Sequence, residues 1–230
     1  MNSELLNALR NCERVELNHL YESSMPVWPT HPKFVLVDSE TYAGGDGNYN
    51  NLLQMGDHCG THVDSPSHFI PEGKTIEQID VGQLIGRGVK IDVSDYPDDT
   101  EITVAMIQAW EKRNGDIKPN DIVLFRTGHD EKWRPRPHHK PFLSGWSGLS
   151  GEGAEYLLGK GVNVIGSDAM SLDAWSNSSY PSHQIILGAG KLIMENLANL
   201  DKVPEIFIFI ALPLRVKGGS ASPVRAIALI

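Results

Sequence analysis

Residues 57–69, D-H-C-G-T-H-V-D-S-P-S-H-F, gather three of the chain's nine histidines and the carboxylate of Asp64 around a glycine and a proline. Imidazoles and a carboxylate at this density form a donor set for a divalent cation. On a helix His58 and His62 would share a face, as in the helical zinc-protease signature, but that signature puts its catalytic Glu directly after the first histidine. Cys59 stands there instead, Gly60 and Pro66 oppose a helix, and Asp64 would point away from both histidines.

In an extended chain the side chains at 58, 60, 62 and 64 project to one side, with Gly60 leaving room between the imidazoles. His58, His62 and Asp64 then converge on one cation, for which Zn, Mn or Fe(II) is suited. Three protein ligands leave positions for water and substrate, the catalytic rather than the structural arrangement. Cys59, Thr61 and Val63 fall on the opposite side, so Cys59 reads as a packed thiol. His68, past the turn at Pro66, is set apart. A neutral imidazole near an ionising water can take its proton and return it to a leaving group.

The rest of the chain must position this segment. A helix is expected over 3–11 and a half-buried strand over 14–20. Residues 26–32, P-V-W-P-T-H-P, carry three prolines and form a loop, whose Trp28 reads either as a surface-packed ring or as a pocket wall. A strand over 34–39, a turn over 44–48 and a return through 49–55 make a hairpin leading into the histidines. Strands follow at 89–93, 122–125, 162–165 and 192–194, with helices at 104–113, 152–160 and 182–187. The runs 206–212 and 224–230 are nearly continuously apolar, as in strands covered on both faces. Residues 126–148 lose all periodicity, which predicts a lid or binding loop. The pattern describes an α/β fold with a mixed sheet in a single domain over 1–230.

Bulk properties narrow the function. The net charge of -9 and the lack of any Lys/Arg run longer than two residues argue against a nucleic-acid partner and for a small-molecule substrate. The first residues lack a basic segment followed by an apolar one, and no window approaches the roughly 20 apolar residues of a membrane span, so a cytoplasmic location without membrane contact is expected. Two cysteines are too few for a disulfide scaffold.

The run H-C-G-T-H-V-D-S-P-S-H at 58–68 resembles the H-x-G-T-H-x-D-x-P-x-H signature of the metal-dependent cyclase hydrolases, the family of bacterial kynurenine formamidase and isatin hydrolase. P-V-W-P at 26–29, V-L-F-R-T at 123–127 and P-L-R-V-K-G-G-S-A-S-P-V-R-A at 213–226 extend the resemblance from about residue 14 to the end. It implies a swivelling β/β/α fold. It also implies a second ligand pair, a His and a Glu twelve residues apart, which here are His183 and Glu195. Asp64 would then be shared between His58 and His62 on one side and His183 and Glu195 on the other, with one or two Zn or Mn ions per subunit. Members of the family form homodimers or homotetramers in which an N-terminal segment reaches toward the neighbour's site, which implies a substrate-binding role for Trp28.

The implied reaction is hydrolysis of an amide C–N bond in a small aromatic substrate, of the arylformamidase type that converts N-formylkynurenine to kynurenine and formate. Ring opening of a cyclic amide or lactone, of the isatin hydrolase type, needs the same residues. Two readings of other classes stand beside it. Two histidines and a carboxylate also describe the facial triad of Fe(II) oxygenases, although those triads draw their last histidine from far along the chain. A non-catalytic metal-binding module would leave His68 without a task.

Overall fold

Apolar runs in the middle of the chain become strands buried on both faces, and around them a sheet closes on itself. The computed structural model describes residues 3–230. In chain order the elements are α1 (Ser3–Asn11), β1 (Arg14–Glu16), β2 (Val35–Glu40), β3 (Asn50–Gln54), β4 (His62–Asp64), β5 (Ile85–Asp92), β6 (Glu101–Ile102), α2 (Val104–Asn114), β7 (Ile122–Arg126), β8 (Gly148–Leu149), α3 (Gly151–Gly159), β9 (Val164–Ser167), α4 (Pro181–Gly188), β10 (Leu192–Glu195), β11 (Ile206–Pro213) and β12 (Ala221–Leu229). Strands pair in the order β12-β11-β5-β7-β9-β10-β4, and β4 returns to β12 to complete a closed mixed barrel of seven strands. β1 lies beside the far end of β12.

β5, β7, β9 and β10 run parallel, each joined to the next through one of α2, α3 and α4. Alternation splits their side chains between two cores. Leu124, Val164 and Met194 point into the barrel with Phe209 and Ala226. Phe125, Ile165 and Ile193 point outward beneath Trp110 of α2, Leu157 of α3 and Ile186 of α4. Gly166 permits β9 and β10 to approach inside the barrel, since a Cβ there would lie 2.6 Å from that of Met194.

The expectation that 206–212 is covered on both faces is corrected. In β11 Phe207, Phe209 and Ala211 are buried while Ile206, Ile208 and Leu212 are exposed. The three crossover helices pack over the parallel strands, and an apolar run alone does not say which strands receive a helix. The expected lid at 126–148 is also corrected. Phe142 and Trp146 are buried in a cluster with Ala169 and Met170, and Trp133 stacks on His19 at 3.9 Å between ring centroids. This segment is a packed wall built from two short 3-10 turns, His129–Lys132 and Lys140–Leu143. The predicted hairpin is present as β2 and β3. Among the described residues no helix is long and apolar enough to cross a membrane.

Candidate active site

The histidine segment reaches its place through strand register. β4 is antiparallel to β10, with His62 opposite Glu195, Val63 opposite Met194 and Asp64 opposite Ile193. Residues opposite one another share a face. Val63 and Met194 fill the barrel, so His62, Asp64 and Glu195 project from its outer side. Extended alternation holds only for His62–Asp64. His58 arrives through a turn in which Gly60 has φ +61, and a Cβ there would meet the Tyr21 ring at 2.8 Å. Gly60 therefore serves backbone conformation and the packing of Tyr21, not space between the imidazoles. Thr61 turns away to bond the Asn196 carbonyl, and Cys59 is buried against Met25, Val27 and Phe34 with its thiol pushed up to about 11 by burial.

Around Asp64 the donor atoms crowd together. His58 Nδ1 lies 2.8 Å from Asp64 Oδ1, and His62 Nε2 lies 3.3 Å from it and 3.5 Å from Glu195 Oε2. His183 Nε2 stands 3.1 Å from Glu195 Oε1 and 3.7 Å from Asp64 Oδ2. Yet His62 Nε2 and both Asp64 oxygens, all buried, make no hydrogen bond with any described residue. Buried polar atoms are normally paired, so atoms this close together that leave one another unpaired are placed as ligands of a shared cation would be. Two overlapping sets have all donor atoms within 4.8 Å: His62, Asp64 and Glu195, and His58, Asp64 and His68. The donor set thus fits a divalent cation, and Asp64 belongs to both groups. His68 falls close enough to be grouped with the donors, its ring 3.9 Å from that of His58.

In the metal-free site the carboxylates favour the protonated forms of His62 and His183. Burial lowers the pKa of His62, but Asp64 and Glu195 outweigh it and raise it to about 9. His183 is likewise raised despite burial, chiefly by its hydrogen bond to Asp173, with the nearby Asp64 and Glu195 carboxylates adding to it. Burial raises Asp64, but the His58 and His62 charges hold its carboxyl well below the usual range. His68 behaves differently. Burial lowers it to about 4, so its imidazole is neutral near pH 7.

Each inward-facing imidazole has its other nitrogen held. His62 Nδ1 meets the Gly60 carbonyl at 2.8 Å, His58 Nε2 meets Ser220 Oγ at 2.9 Å, and Ser220 in turn donates to Asp57 Oδ2. Asp173 Oδ2 is 2.6 Å from His183 Nδ1, and the same buried carboxylate accepts the backbone N–H groups of Ser182 and His183 at the start of α4. Such partners fix the tautomer and aim of a ligand. Asp173→Asn is expected to weaken metal binding by about 10- to 100-fold, measured by chelator competition. An unchanged affinity would show that packing alone aims His183. Asp173, Ser220 and Asp57 carry no signal in the sequence, because their partners are set by the fold.

The donors open into a cavity of about 240 Å³ walled by Trp28, His31, Phe69, Met170 and Tyr180. The structure brings together all the expected residues, His58, His62, Asp64, His68, His183, Glu195 and Trp28. Trp28 lines the cavity of its own chain, 6.0 Å from the buried Trp146 ring.

Comparison with known proteins agrees with this picture. Residues 15–174 match the Cyclase family model. A kynurenine formamidase from Erythrobacter litoralis is 30% identical over 224 residues, covering 92% of this chain and 91% of that protein. An isatin hydrolase from Roseibium aggregatum is 32% identical over 199 residues, covering 78% and 74% respectively. The crystal structure of an isatin hydrolase bound to the product analogue thioisatinate superposes with a TM-score of 0.91 at 28% identity, covering 100% of this chain and 99% of that one.

Proposed function

The chain belongs to the Cyclase family, and from that footing we propose that it is a metal-dependent amidohydrolase acting on a small aromatic substrate. The observation that carries the proposal is the set of buried, closely grouped and unpaired donor atoms around Asp64 at the floor of an aromatic cavity. His58, His62, Asp64, His183 and Glu195 would hold Zn or Mn, one ion or two. A divalent cation held there supplies a Lewis acid that polarises a carbonyl and lets water ionise near neutral pH. His68, neutral and facing the same space, takes the proton from the attacking water. It then returns that proton to the nitrogen as the C–N bond breaks, so the amine leaves uncharged. Trp28 and Phe69 supply ring faces for an aromatic substrate.

The cavity also bears on which amide is cleaved. N-formylkynurenine carries an α-ammonium and an α-carboxylate, and among the described residues no Lys or Arg lines the cavity. A substrate without those charges, such as the cyclic amide of isatin, is the second reading that this lining favours. Metal-reconstituted protein is expected to hydrolyse isatin with kcat/KM about tenfold or more above that for N-formylkynurenine, followed by product absorbance. The reverse order would restore the arylformamidase assignment. Turnover of neither, nor of a simple lactone, would remove the substrate class.

A further inference from the structure

Two polar side chains in the cavity wall lie outside the donor set, and each has an oxygen left without a partner. Ser171 and Asn196 are 3% and 5% exposed, and neither Ser171 Oγ nor Asn196 Oδ1 makes a hydrogen bond with any described residue. Buried polar groups are normally paired, so such a pair at a cavity wall asks for a ligand. Their placement is firm. Asn196 N donates to the Ala169 carbonyl at 2.9 Å, and Leu172 N donates to Glu195 Oε1 at 2.9 Å, so the turn carrying Ser171 is stitched at both ends to the step from Glu195 to Asn196. The orientation of the Asn196 amide follows from its other contact. Nδ2 donates to the Gly60 carbonyl at 3.1 Å, a partner that only accepts, and this leaves Oδ1 as the free end.

A hydroxyl can donate, and an amide oxygen can only accept. A secondary amide presents the complement, a carbonyl oxygen that needs a donor and an N–H that needs an acceptor. We propose that Ser171 and Asn196 recognise the scissile amide, with Ser171 donating to its carbonyl oxygen and Asn196 Oδ1 accepting from its N–H. The assignment rests on the amidohydrolase reading and makes the site selective for N–H amides over esters of the same shape. In an ester, the oxygen that replaces N–H would face Oδ1 with no proton between them, and a site built for a hydrogen bond rejects the analogue lacking it.

The test uses formanilide and phenyl formate, which differ only in N–H against O, with the metal content of every protein measured alongside. Intrinsic reactivity cancels when the amide-to-ester ratio of kcat/KM is compared between proteins. Asn196→Gly suits the positive φ of 55° at this position and removes the acceptor, and it should lower that ratio by about tenfold or more. Asn196→Asp keeps an acceptor and should hold the ratio within about threefold of wild type. Ser171→Ala should slow both substrates by about tenfold and leave the ratio unchanged. A ratio unmoved in Asn196→Gly, with metal retained and wild-type turnover of both substrates, overturns the assignment while the amidohydrolase reading stands. Metal-loaded wild type that turns over neither substrate removes that reading and this assignment with it.

Discussion

Asp64→Asn is expected to leave the protein folded but unable to retain metal through dialysis, with amide hydrolysis reduced by about a thousandfold or more. The carboxylate contributes to both donor groups, so its neutralisation weakens each, whereas loss of a peripheral ligand would weaken one. Its backbone stays in place because Asp64 is flanked on both sides, by Ile193 of β10 and Ala221 of β12. Stoichiometric metal after dialysis of the variant, measured by elemental analysis, would refute the shared-ligand role. A pH signature accompanies it. His62 is raised from about 6.5 to about 9 by the carboxylates, so in the metal-free protein its contribution to stability is present below about 6.5 and fades as the pH rises through 9. The Tm of metal-free wild type should therefore fall across that window. In Asp64→Asn, which lacks the principal counter-charge, the fall should be shallower.

His68→Ala is expected to lower kcat by about 10²- to 10⁴-fold while metal content remains that of wild type. His68 is carried on the short turn Pro66–His68, outside the strands that hold His62, Asp64 and Glu195, with its ring 3.9 Å from that of His58 and 6.1 Å from that of His183. Burial keeps it neutral near pH 7, the form that can accept a proton. Its position beside His58 and Asp64 gives the experiment a second possible result. If the variant loses metal in proportion to activity, His68 is a ligand and the proton carrier is another group. A loss of activity below tenfold with metal retained would leave the proton step without His68.

Much of the site can be read from the primary structure, for a local reason. His62 and Asp64 lie two apart on one short strand, where alternation places both side chains on one face without reference to the rest of the fold. His58 needed a glycine with positive φ, a turn that alternation does not describe. Most strands and all the crossover helices follow from apolar periodicity, whereas the exposed face of β11 does not, because coverage by helices is a property of layers.

The sequence by itself determined the donor types, their spacing from 58 to 68, and the order of helices and strands that brings α4 and β10 into the same sheet region. Tertiary structure alone decided which atoms meet. His62 stands beside Glu195, 133 positions later, because barrel closure sets β4 against β10 in one register, and His58 finds Ser220, 162 positions away, because β4 also borders β12. The same closure fixes the aim of Asp173 at His183 and leaves Ser171 Oγ and Asn196 Oδ1 unpartnered at the cavity wall. Periodicity along a chain records which face a side chain takes. The direction of a hydrogen bond or a ligand lone pair depends on register across strands, which is settled only when the barrel closes.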